Sequence, residues 1–329
     1  MSTAKLKVAI VGAGGWGYQH ARVLSERNDV ELAGVWSRKR SSADARAAEF
    51  GTRGYNDIDE MLSRERPDLV TVCLPNQQHF DATLRVIRAG RPLLVEKPLV
   101  FDLAEADTLL AEARQRGLFF AINFNHRYAR PIRMAKEALD AGRLGDLVFA
   151  TWRFGGEGEA EHPFNNLIET QCHGLDALEH LCGPIATISA EMTDKTRPGA
   201  FTTLVLALRF ASGAVGSLVG SYDASYAHPG THAMELCGTR GRVLIEDTVA
   251  RYSFHAHGSE TGEVWQAGYF NDRDREFHRT FDAHLDAVLN SLRVGQPPPI
   301  PATAGHRALV LAHAAIESFR AGRRVSVGG

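Results

Sequence analysis

The sequence predicts an α/β protein with two domains: a doubly wound parallel sheet over residues 1–124, then an α+β domain with a mostly antiparallel open sheet over residues 125–329. Strand-like apolar runs alternate with helical segments up to about residue 122, which is typical of parallel sheets covered by helices. Beyond residue 185, strand-like segments follow one another without long helices, as in antiparallel sheets. A length of 329 residues also exceeds what one hydrophobic core usually serves.

Five strand-like segments define the first domain. They are Val8–Val11, Val30–Trp36, Asp68–Leu74, Pro92–Val95 and Leu118–Ile122. The segment at Asp68–Leu74 is almost continuously apolar, which indicates a strand buried on both faces.

The second domain begins with two predicted helices, Pro131–Ala141 and Asn166–Cys182, on either side of a strand at Leu147–Gly155. Further strands are predicted at Ile185–Met192, Thr203–Phe210, Ala214–Tyr222, Ala233–Cys237, Arg242–Glu246 and Arg251–His255. Two helices, Arg273–Leu292 and Gly305–Arg320, close the chain.

Composition argues against several classes of protein. The net charge of −2 offers no electrostatic attraction for nucleic acid or an anionic membrane, so neither is an expected partner. No apolar run approaches the roughly 18–20 residues of a membrane span. No basic region followed by an apolar core precedes the first strand, so we expect no secretory signal and a cytoplasmic location. The four cysteines lack C-x-x-C spacing and are expected to be reduced thiols.

A glycine turn follows the first strand directly and precedes a helical segment. In the pattern Gly12-x-Gly14-x-x-Gly17, the first glycine permits a tight turn, the second lets a pyrophosphate approach the backbone, and the third lets the helix lie close to the strand. The phosphates would lie on N–H groups at the helix N-terminus. We therefore expect Gly12, Gly14, Gly15, Trp16 and Gly17 to bind a dinucleotide, although an incidental glycine turn is the alternative.

The end of the second strand bears on which dinucleotide is bound. An NAD site usually has an acidic residue here for the ribose 2′-hydroxyl, but this chain has Ser37 and Arg38, followed by two further cations. Because arginine grips phosphate well, this arrangement favours NADP over NAD. The alternative is a solvated basic turn.

The ends of the next two strands carry further polar residues. Pro75 and Asn76 come after one strand, where a loop faces the cofactor crevice. Glu96 and Lys97 come after the next. A partly buried lysine can exchange a proton with a substrate oxygen or polarise a carbonyl, and Glu96 could accept hydrogen bonds from a ribose hydroxyl. The alternative is a pair of ordinary surface charges.

The predicted mid-chain helix carries a polar stripe. Glu169, His173, Asp176 and His180 lie at i, i+4, i+7 and i+11, so in a continuous α-helix they share one face. His173 could move a proton or hold a substrate hydroxyl, with Asp176 fixing its tautomer. Such residues can bind a metal, but nicotinamide chemistry does not need one, and no metal is expected. A solvated helix face is the alternative.

Asp176 and several other polar residues are candidates for contacts with a substrate. Asn125 alternates with Asn123 and Arg127 after the last strand of the first domain, although Arg127 could equally serve packing. The candidates from the second domain are Arg153, Tyr222, Tyr226 and His228.

Four of these motifs together resemble the glucose–fructose oxidoreductase, inositol dehydrogenase and MocA-type family, over essentially the whole chain. The motifs are Gly12-x-Gly14-x-x-Gly17, Pro75-Asn76 with His79, Glu96-Lys97-Pro98 and His173-x-x-Asp176. The resemblance implies a Rossmann domain followed by an α+β domain whose open sheet forms a subunit interface, hence a homodimer or homotetramer.

The resemblance also implies an activity and its residues. Family members oxidise or reduce a carbinol or carbonyl on a sugar, inositol or related polyol. The family's lysine corresponds to Lys97 and its histidine to His173. Glu169 stands where inositol dehydrogenase-like members have an aspartate. His79, with Pro75 and Asn76, is expected at the cofactor.

Two other functions are open at this point. Some related enzymes are glycoside hydrolases that use nicotinamide transiently, with no net redox change. Others with this fold sense NADP without catalysis, but a sensor has no need of Lys97 or His173.

Overall fold

The computed structural model describes residues 5–159, 161–225, 228–270 and 273–328. Contacts group the chain into two compact units, residues 1–124 with 281–306, and residues 125–280 with 307–329. The contiguous domains 1–124 and 125–329 stay a prediction, because the segment 281–306 packs with the first unit.

Six parallel strands form the sheet of the first unit in the order β3-β2-β1-β4-β5-β6. The strands are Leu6–Val11 (β1), Val30–Trp36 (β2), Gly54–Tyr55 (β3), Leu69–Val72 (β4), Leu93–Glu96 (β5) and Phe120–Asn123 (β6). The helices between them are Gly15–Ser25 (α1), Arg40–Phe50 (α2), Ile58–Glu65 (α3), His79–Arg88 (α4) and Leu103–Gln115 (α5). This confirms the doubly wound sheet, in which ligands bind at the carboxyl ends of the strands where the strand order reverses.

Local sequence sets the ends of several of these helices. The side chains of Asp57 and Asp102 accept hydrogen bonds from the first N–H groups of α3 and α5. Gly51 ends α2 in the left-handed conformation, with φ +64°. These caps fix where each helix begins or ends relative to its strand.

The second unit contains a nine-stranded sheet in the order β14-β13-β12-β11-β7-β10-β9-β8-β15. Its strands are Leu147–Gly155 (β7), Ile185–Thr193 (β8), Thr203–Phe210 (β9), Val215–Ser221 (β10), His232–Gly238 (β11), Gly241–Glu246 (β12), Arg251–Ala256 (β13), Glu263–Gln266 (β14) and Val325–Ser326 (β15). Its helices are Arg130–Asp140 (α6) and Cys172–Cys182 (α7), and the division between the units falls within Arg273–Arg293 (α8) and Ala302–Ala321 (α9). The pair β7–β10 is parallel and the other neighbouring strands are antiparallel, which confirms the mostly antiparallel sheet.

One face of this sheet is covered and the other is open. Along β9, buried Leu204 and Leu206 alternate with exposed Val205 and Ala207. Helix α7 lies against the covered face, where a Cβ at Gly174 would come within 2.5 Å of a ring nitrogen of Trp152.

The structure differs from the sequence-based prediction in the mid-chain helix. The predicted continuous helix 166–182 is a π-helical turn, Asn166–Thr170, followed by α7. Buried side chains hold this turn: Asn166 Nδ2 donates to the Thr202 carbonyl at 2.7 Å, and Gln171 Nε2 donates to the Phe154 carbonyl at 3.2 Å. Phe154 lies on β7 and Thr202 directly precedes β9, so helical periodicity alone does not reveal these partners.

Three short strands, β3, β14 and β15, were also not predicted, because two to four residues are too few to show a pattern. None of the four cysteines is in a disulfide, and three of them are buried. Among the described residues, no helix combines the length and apolar character that crossing a bilayer requires.

Candidate active site

The glycine loop joins β1 to α1 in the first unit. Gly12 has φ +128°, and a Cβ there would lie 2.1 Å from the Cys73 carbonyl oxygen. A Cβ at Gly17 would lie 1.9 Å from the Gly12 carbonyl oxygen. A Cβ placed at Gly14 or Gly15 would meet no heavy atom within 4 Å among the described residues beyond its own chain neighbours and the adjacent helix backbone. The loop therefore needs glycine at its two ends and is open at the start of α1, an arrangement that fits a pyrophosphate.

Two side chains outside the glycine pattern pack around this loop. The Trp16 ring is 43% exposed and stacks on Phe281, with ring centroids 5.6 Å apart. Arg46 of α2 donates from Nη2 to the Ala13 carbonyl at 3.2 Å and lies over the Tyr18 ring at 4.8 Å. Sequence reasoning missed Phe281 and Arg46, because both approach the loop only through tertiary packing.

The predicted cofactor-selecting residues lie at the end of β2. Ser37 donates its backbone N–H to the Tyr55 carbonyl at 3.0 Å. Arg38 is exposed, whereas Arg40 pairs with Asp44 within α2 at 2.9 Å. Arg38 therefore lies close to the end of β2 and is not part of the Arg40–Asp44 ion pair.

The loop after β4 carries Pro75 and Asn76 and leads into α4. The first residue of that helix, His79, is fully buried, with Nε2 2.8 Å from the Leu74 carbonyl and Nδ1 2.7 Å from the Pro98 carbonyl. Burial lowers the pKa of His79. The imidazole thus connects the loops after β4 and β5, and its ring nitrogens face backbone oxygens, so a role at the cofactor would be an indirect one.

Glu96 and Lys97 lie at the carboxyl end of β5. Glu96 is 3% exposed, and its Oε1 accepts hydrogen bonds from His20 Nε2 at 2.9 Å and Asn123 Nδ2 at 2.6 Å. Lys97 follows on the loop and is partly exposed. Glu96, the predicted ribose contact, therefore already has two hydrogen-bond partners within the protein. Lys97 lies at the carboxyl end of β5, as the sequence predicts.

In the second unit, Glu169 lies on the π-helical turn. Its Oε2 accepts hydrogen bonds from the Tyr222 hydroxyl at 2.7 Å and from Thr170 Oγ1 at 3.1 Å. Burial, and then the Glu169 charge, raise the pKa of Tyr222 well above its usual range. The structure thus brings together two of the predicted site residues, Glu169 and Tyr222, which are 53 positions apart.

His173 lies in the first turn of α7 and is 7% exposed. Its ring stacks on that of His126, with centroids 3.9 Å apart and planes at 12°. His126 is 5% exposed and follows β6. It is a neighbour of His173 that no sequence motif indicated.

Asp176 and Asn125 have partners that differ from the expected ones. Asp176 accepts from Arg127 with both carboxylate oxygens, at 2.8 and 2.6 Å, so the pair is bidentate. Asn125 donates to Thr280 Oγ1 at 2.7 Å. Asp176 and Asn125 are thus held by hydrogen bonds to other side chains of the protein. Their contacts with a substrate stay predictions.

Arg153 lies apart from the residues of α7. Its neighbour Trp152 packs under α7, and because side chains alternate along a strand, Arg153 lies on the open face. There Arg153 and His228 line a cavity of about 570 Å³. The structure does not bring Arg153 together with Glu169 and His173. Tyr226 lies outside the described residues.

Comparison with known protein families gives two adjacent matches. The family described as "Oxidoreductase family, NAD-binding Rossmann fold" matches residues 6–124. The companion family, "Oxidoreductase family, C-terminal alpha/beta domain", matches residues 136–327. Together they span both units of the structure.

Individual proteins show the same similarity. D-glucoside 3-dehydrogenase of Escherichia coli is 35% identical over 155 residues, which is 46% of this chain and 44% of that protein. Myo-inositol 2-dehydrogenase of Thermotoga maritima is 23% identical over 98% of both chains. A structure of levoglucosan dehydrogenase with NADH and levoglucosan superposes with a TM-score of 0.88 at 16% identity, covering 98% of this chain and 99% of that one.

Proposed function

We propose, from the premise that this chain belongs to the Gfo/Idh/MocA family of oxidoreductases, that it transfers a hydride between a nicotinamide cofactor and a carbinol or carbonyl carbon of a sugar, sugar derivative or cyclitol. Relatives named as glucoside and inositol dehydrogenases support this substrate class. The observation that carries the proposal is the position of Lys97 directly after β5, at the sheet edge where parallel α/β folds bind their ligands.

The residues of the first unit fit a bound dinucleotide. The open backbone at Gly14 and Gly15 leaves room for a pyrophosphate at the start of α1, and Trp16 provides an exposed indole beside it. When bound, the nicotinamide supplies the hydride acceptor or donor. Lys97 exchanges the proton with the substrate oxygen, which is general acid–base catalysis.

His173 and Glu169 of the second unit assist in this proposal. His173 holds the substrate hydroxyl or moves its proton, and its stacking on His126 fixes the plane of the ring. Glu169 is partly exposed and held by Tyr222, so its carboxylate is positioned to accept a hydrogen bond from a polyol hydroxyl.

The role of Lys97 is tested by Lys97→Ala and Lys97→Arg. Lys97→Ala removes the proton-exchanging group, so turnover should fall by about 10²–10⁴-fold while cofactor affinity stays close to that of the wild type. Lys97→Arg keeps the positive charge but exchanges no proton near neutral pH, so it should be nearly as slow. Turnover is measured by NAD(P)H absorbance over a panel of sugars and cyclitols, together with chromatography of the products.

The same assay separates the alternatives. Wild-type turnover in Lys97→Ala would contradict the assignment. Product that accumulates without net NAD(P)H would indicate glycoside hydrolysis, and tight cofactor binding with no turnover over the panel would indicate a sensor.

We further propose that NADP is preferred over NAD. Ser37 provides no carboxylate to repel a 2′-phosphate, and exposed Arg38 follows it at the end of β2. A guanidinium can bind that phosphate with paired hydrogen bonds.

Arg38→Ala should narrow the difference between the two cofactors. Loss of a charged hydrogen bond of about 1.5–3 kcal/mol weakens NADP⁺ binding about ten- to a hundredfold and leaves NAD⁺ binding nearly unchanged. The measurement is quenching of tryptophan fluorescence on titration with each cofactor. Arg64→Ala, an exposed arginine of α3, is the control. Tighter NAD⁺ binding in the wild type would refute this preference.

We also propose that the chain forms a homodimer or homotetramer through the open face of the nine-stranded sheet. Val205 and Val215 of neighbouring strands are 45% and 49% exposed on this face. Apolar side chains exposed on a broad sheet face are typical of a surface that another subunit covers.

A further inference from the structure

A buried polar network connects the carboxyl ends of β5 and β6 to two helices of the first unit. Its centre is Glu96, which accepts from His20 of α1 and from Asn123 of β6. The Asn123 side-chain oxygen in turn accepts from His284 Nδ1 at 2.5 Å. All four side chains are at most 3% exposed. The residue after Glu96 is Lys97, so the network ends next to the proposed acid–base group.

His20 and Glu96 form an ion pair within this network. Burial by itself would lower the pKa of His20, but Cys73 and Glu96 outweigh it and raise the pKa to about 10. Burial by itself would raise the pKa of Glu96, but His20, Asn123 and Lys97 outweigh it and lower the pKa. The 2.9 Å hydrogen bond between these two buried groups favours an imidazolium facing a carboxylate, so the two charges of the pair oppose each other.

Four further residues lie around the His20–Glu96 pair or interact with its charges. Cys73 Sγ lies within 4.8 Å of the facing atoms of His20 and Glu96. His79 and Lys97 are coupled to the Glu96 charge, and the Phe281 ring packs edge-on to His20 at 6.0 Å. Within this set of neighbours, His20 Nε2 lies 2.9 Å from Glu96 Oε1.

Stability alone is a poor explanation for this pair. Burying two charges costs free energy that their attraction only partly returns, and apolar residues of similar volume often serve a core as well. A charge pair next to a reacting group has a direct electrostatic effect on it. A carboxylate without a partner would hold the proton on a neighbouring ammonium, whereas a lysine that acts as a base must release it.

We propose that His20 is a positioning residue for the reaction: by balancing the Glu96 charge and holding its carboxylate against α1, it leaves Lys97 able to exchange a proton with the substrate. This inference rests on the proposed acid–base role of Lys97. It predicts that removing the His20 charge and removing the Glu96 charge shift proton release by Lys97 in opposite directions. A purely structural role of the pair does not predict opposite shifts.

The test measures proton release by Lys97 without using turnover. The full chain is treated with acetic anhydride at a series of pH values, and the rate of acetylation at Lys97 is read by peptide mass spectrometry. Exposed Lys195 in the second unit is the internal control. The variants are His20→Gln, which keeps an amide donor for Glu96 without the charge, Glu96→Gln, and the double variant.

The midpoint of Lys97 labelling should rise by about one pH unit in His20→Gln, a tenfold change in the ionisation ratio. It should fall in Glu96→Gln and return close to the wild-type value in the double variant, while the Lys195 midpoint stays constant. If His20→Gln does not fold, Glu96→Gln and the double variant still test the two opposite shifts.

Equal Lys97 midpoints in the wild type and the folded variants would overturn the inference, as would shifts of the same sign in both single variants. The proposed function fails on a different result, namely wild-type turnover in Lys97→Ala, so the two failures are distinguishable.

Discussion

Gly17 and Gly14 of the glycine loop allow folding and the proposed cofactor binding to be separated by single methyl groups. In Gly17→Ala, the new Cβ would lie 1.9 Å from the Gly12 carbonyl oxygen, whereas an ordinary contact begins at 3.4 Å. The Gly12 oxygen belongs to the backbone and the Cβ position is fixed by the backbone, so neither atom can rotate away, and α1 must move by about 1.5 Å relative to the loop. Overpacking in a rigid site costs about 1–3 kcal/mol, and we expect Gly17→Ala to lose about 3 kcal/mol of unfolding free energy.

Gly14→Ala is the matched substitution at the open position. Gly14 has φ −75° and ψ −166°, an extended conformation that alanine adopts freely. No described heavy atom beyond its own chain neighbours and the adjacent helix backbone lies within 4 Å of the new methyl group, so the unfolding free energy should change by less than about 0.5 kcal/mol. The methyl group would occupy the space that the proposed function assigns to a pyrophosphate, so cofactor affinity should fall.

Urea unfolding of the two variants without cofactor measures the first effect. Titration of NAD⁺ and NADP⁺ against tryptophan fluorescence measures the second. The reasoning is refuted if Gly17→Ala unfolds at the wild-type midpoint, or if a stably folded Gly14→Ala binds both cofactors with wild-type affinity.

Two further predictions concern the second unit. Burial, together with the nearby charges of Arg127 and Lys136, lowers the pKa of His180 to about 4. As the pH drops from about 6.5 to 4, the unfolded chain therefore binds a proton at His180 before the folded chain does, and the free energy of unfolding should fall. His180→Gln should reduce the dependence of the urea unfolding midpoint on pH over this range, whereas the control His257→Gln at an exposed site should not. An unchanged dependence in His180→Gln, or an equal change in His257→Gln, would contradict the prediction. Val205→Glu on the open sheet face should reduce the molar mass measured by light scattering, whereas the exposed-site control Val294→Glu should not; a monomeric wild type would exclude the proposed interface.

Much of the fold follows from patterns that are local in the chain. The apolar run at Val8–Val11, the glycines after it and the helix that follows are neighbours in sequence, so strand, turn and helix are predicted together. Alternation along β9 likewise indicates a sheet with one covered and one open face, because side chains of a strand point to opposite sides in turn. The structure confirms both sheets.

The mid-chain helix shows where local reasoning fails. Residues 166–182 have helical periodicity, and four polar residues fall on one face of an ideal helix. Side-chain bonds from Asn166 and Gln171 to backbone groups of other segments instead hold a π-helical turn ahead of α7. The position of Glu169 relative to His173 therefore depends on partners that periodicity does not contain.

The sequence by itself determined that this protein has a glycine loop after its first strand, a parallel sheet, and a lysine at the carboxyl end of β5. Only the tertiary structure showed that Glu96 pairs with His20, 76 positions away, that Asp176 pairs with Arg127, and that the segment 281–306 packs with the first unit. The reason is physical: turns, caps and periodicity depend on residues a few positions apart, whereas the hydrogen-bond partners of Glu96 depend on which distant side chains the completed sheet brings together.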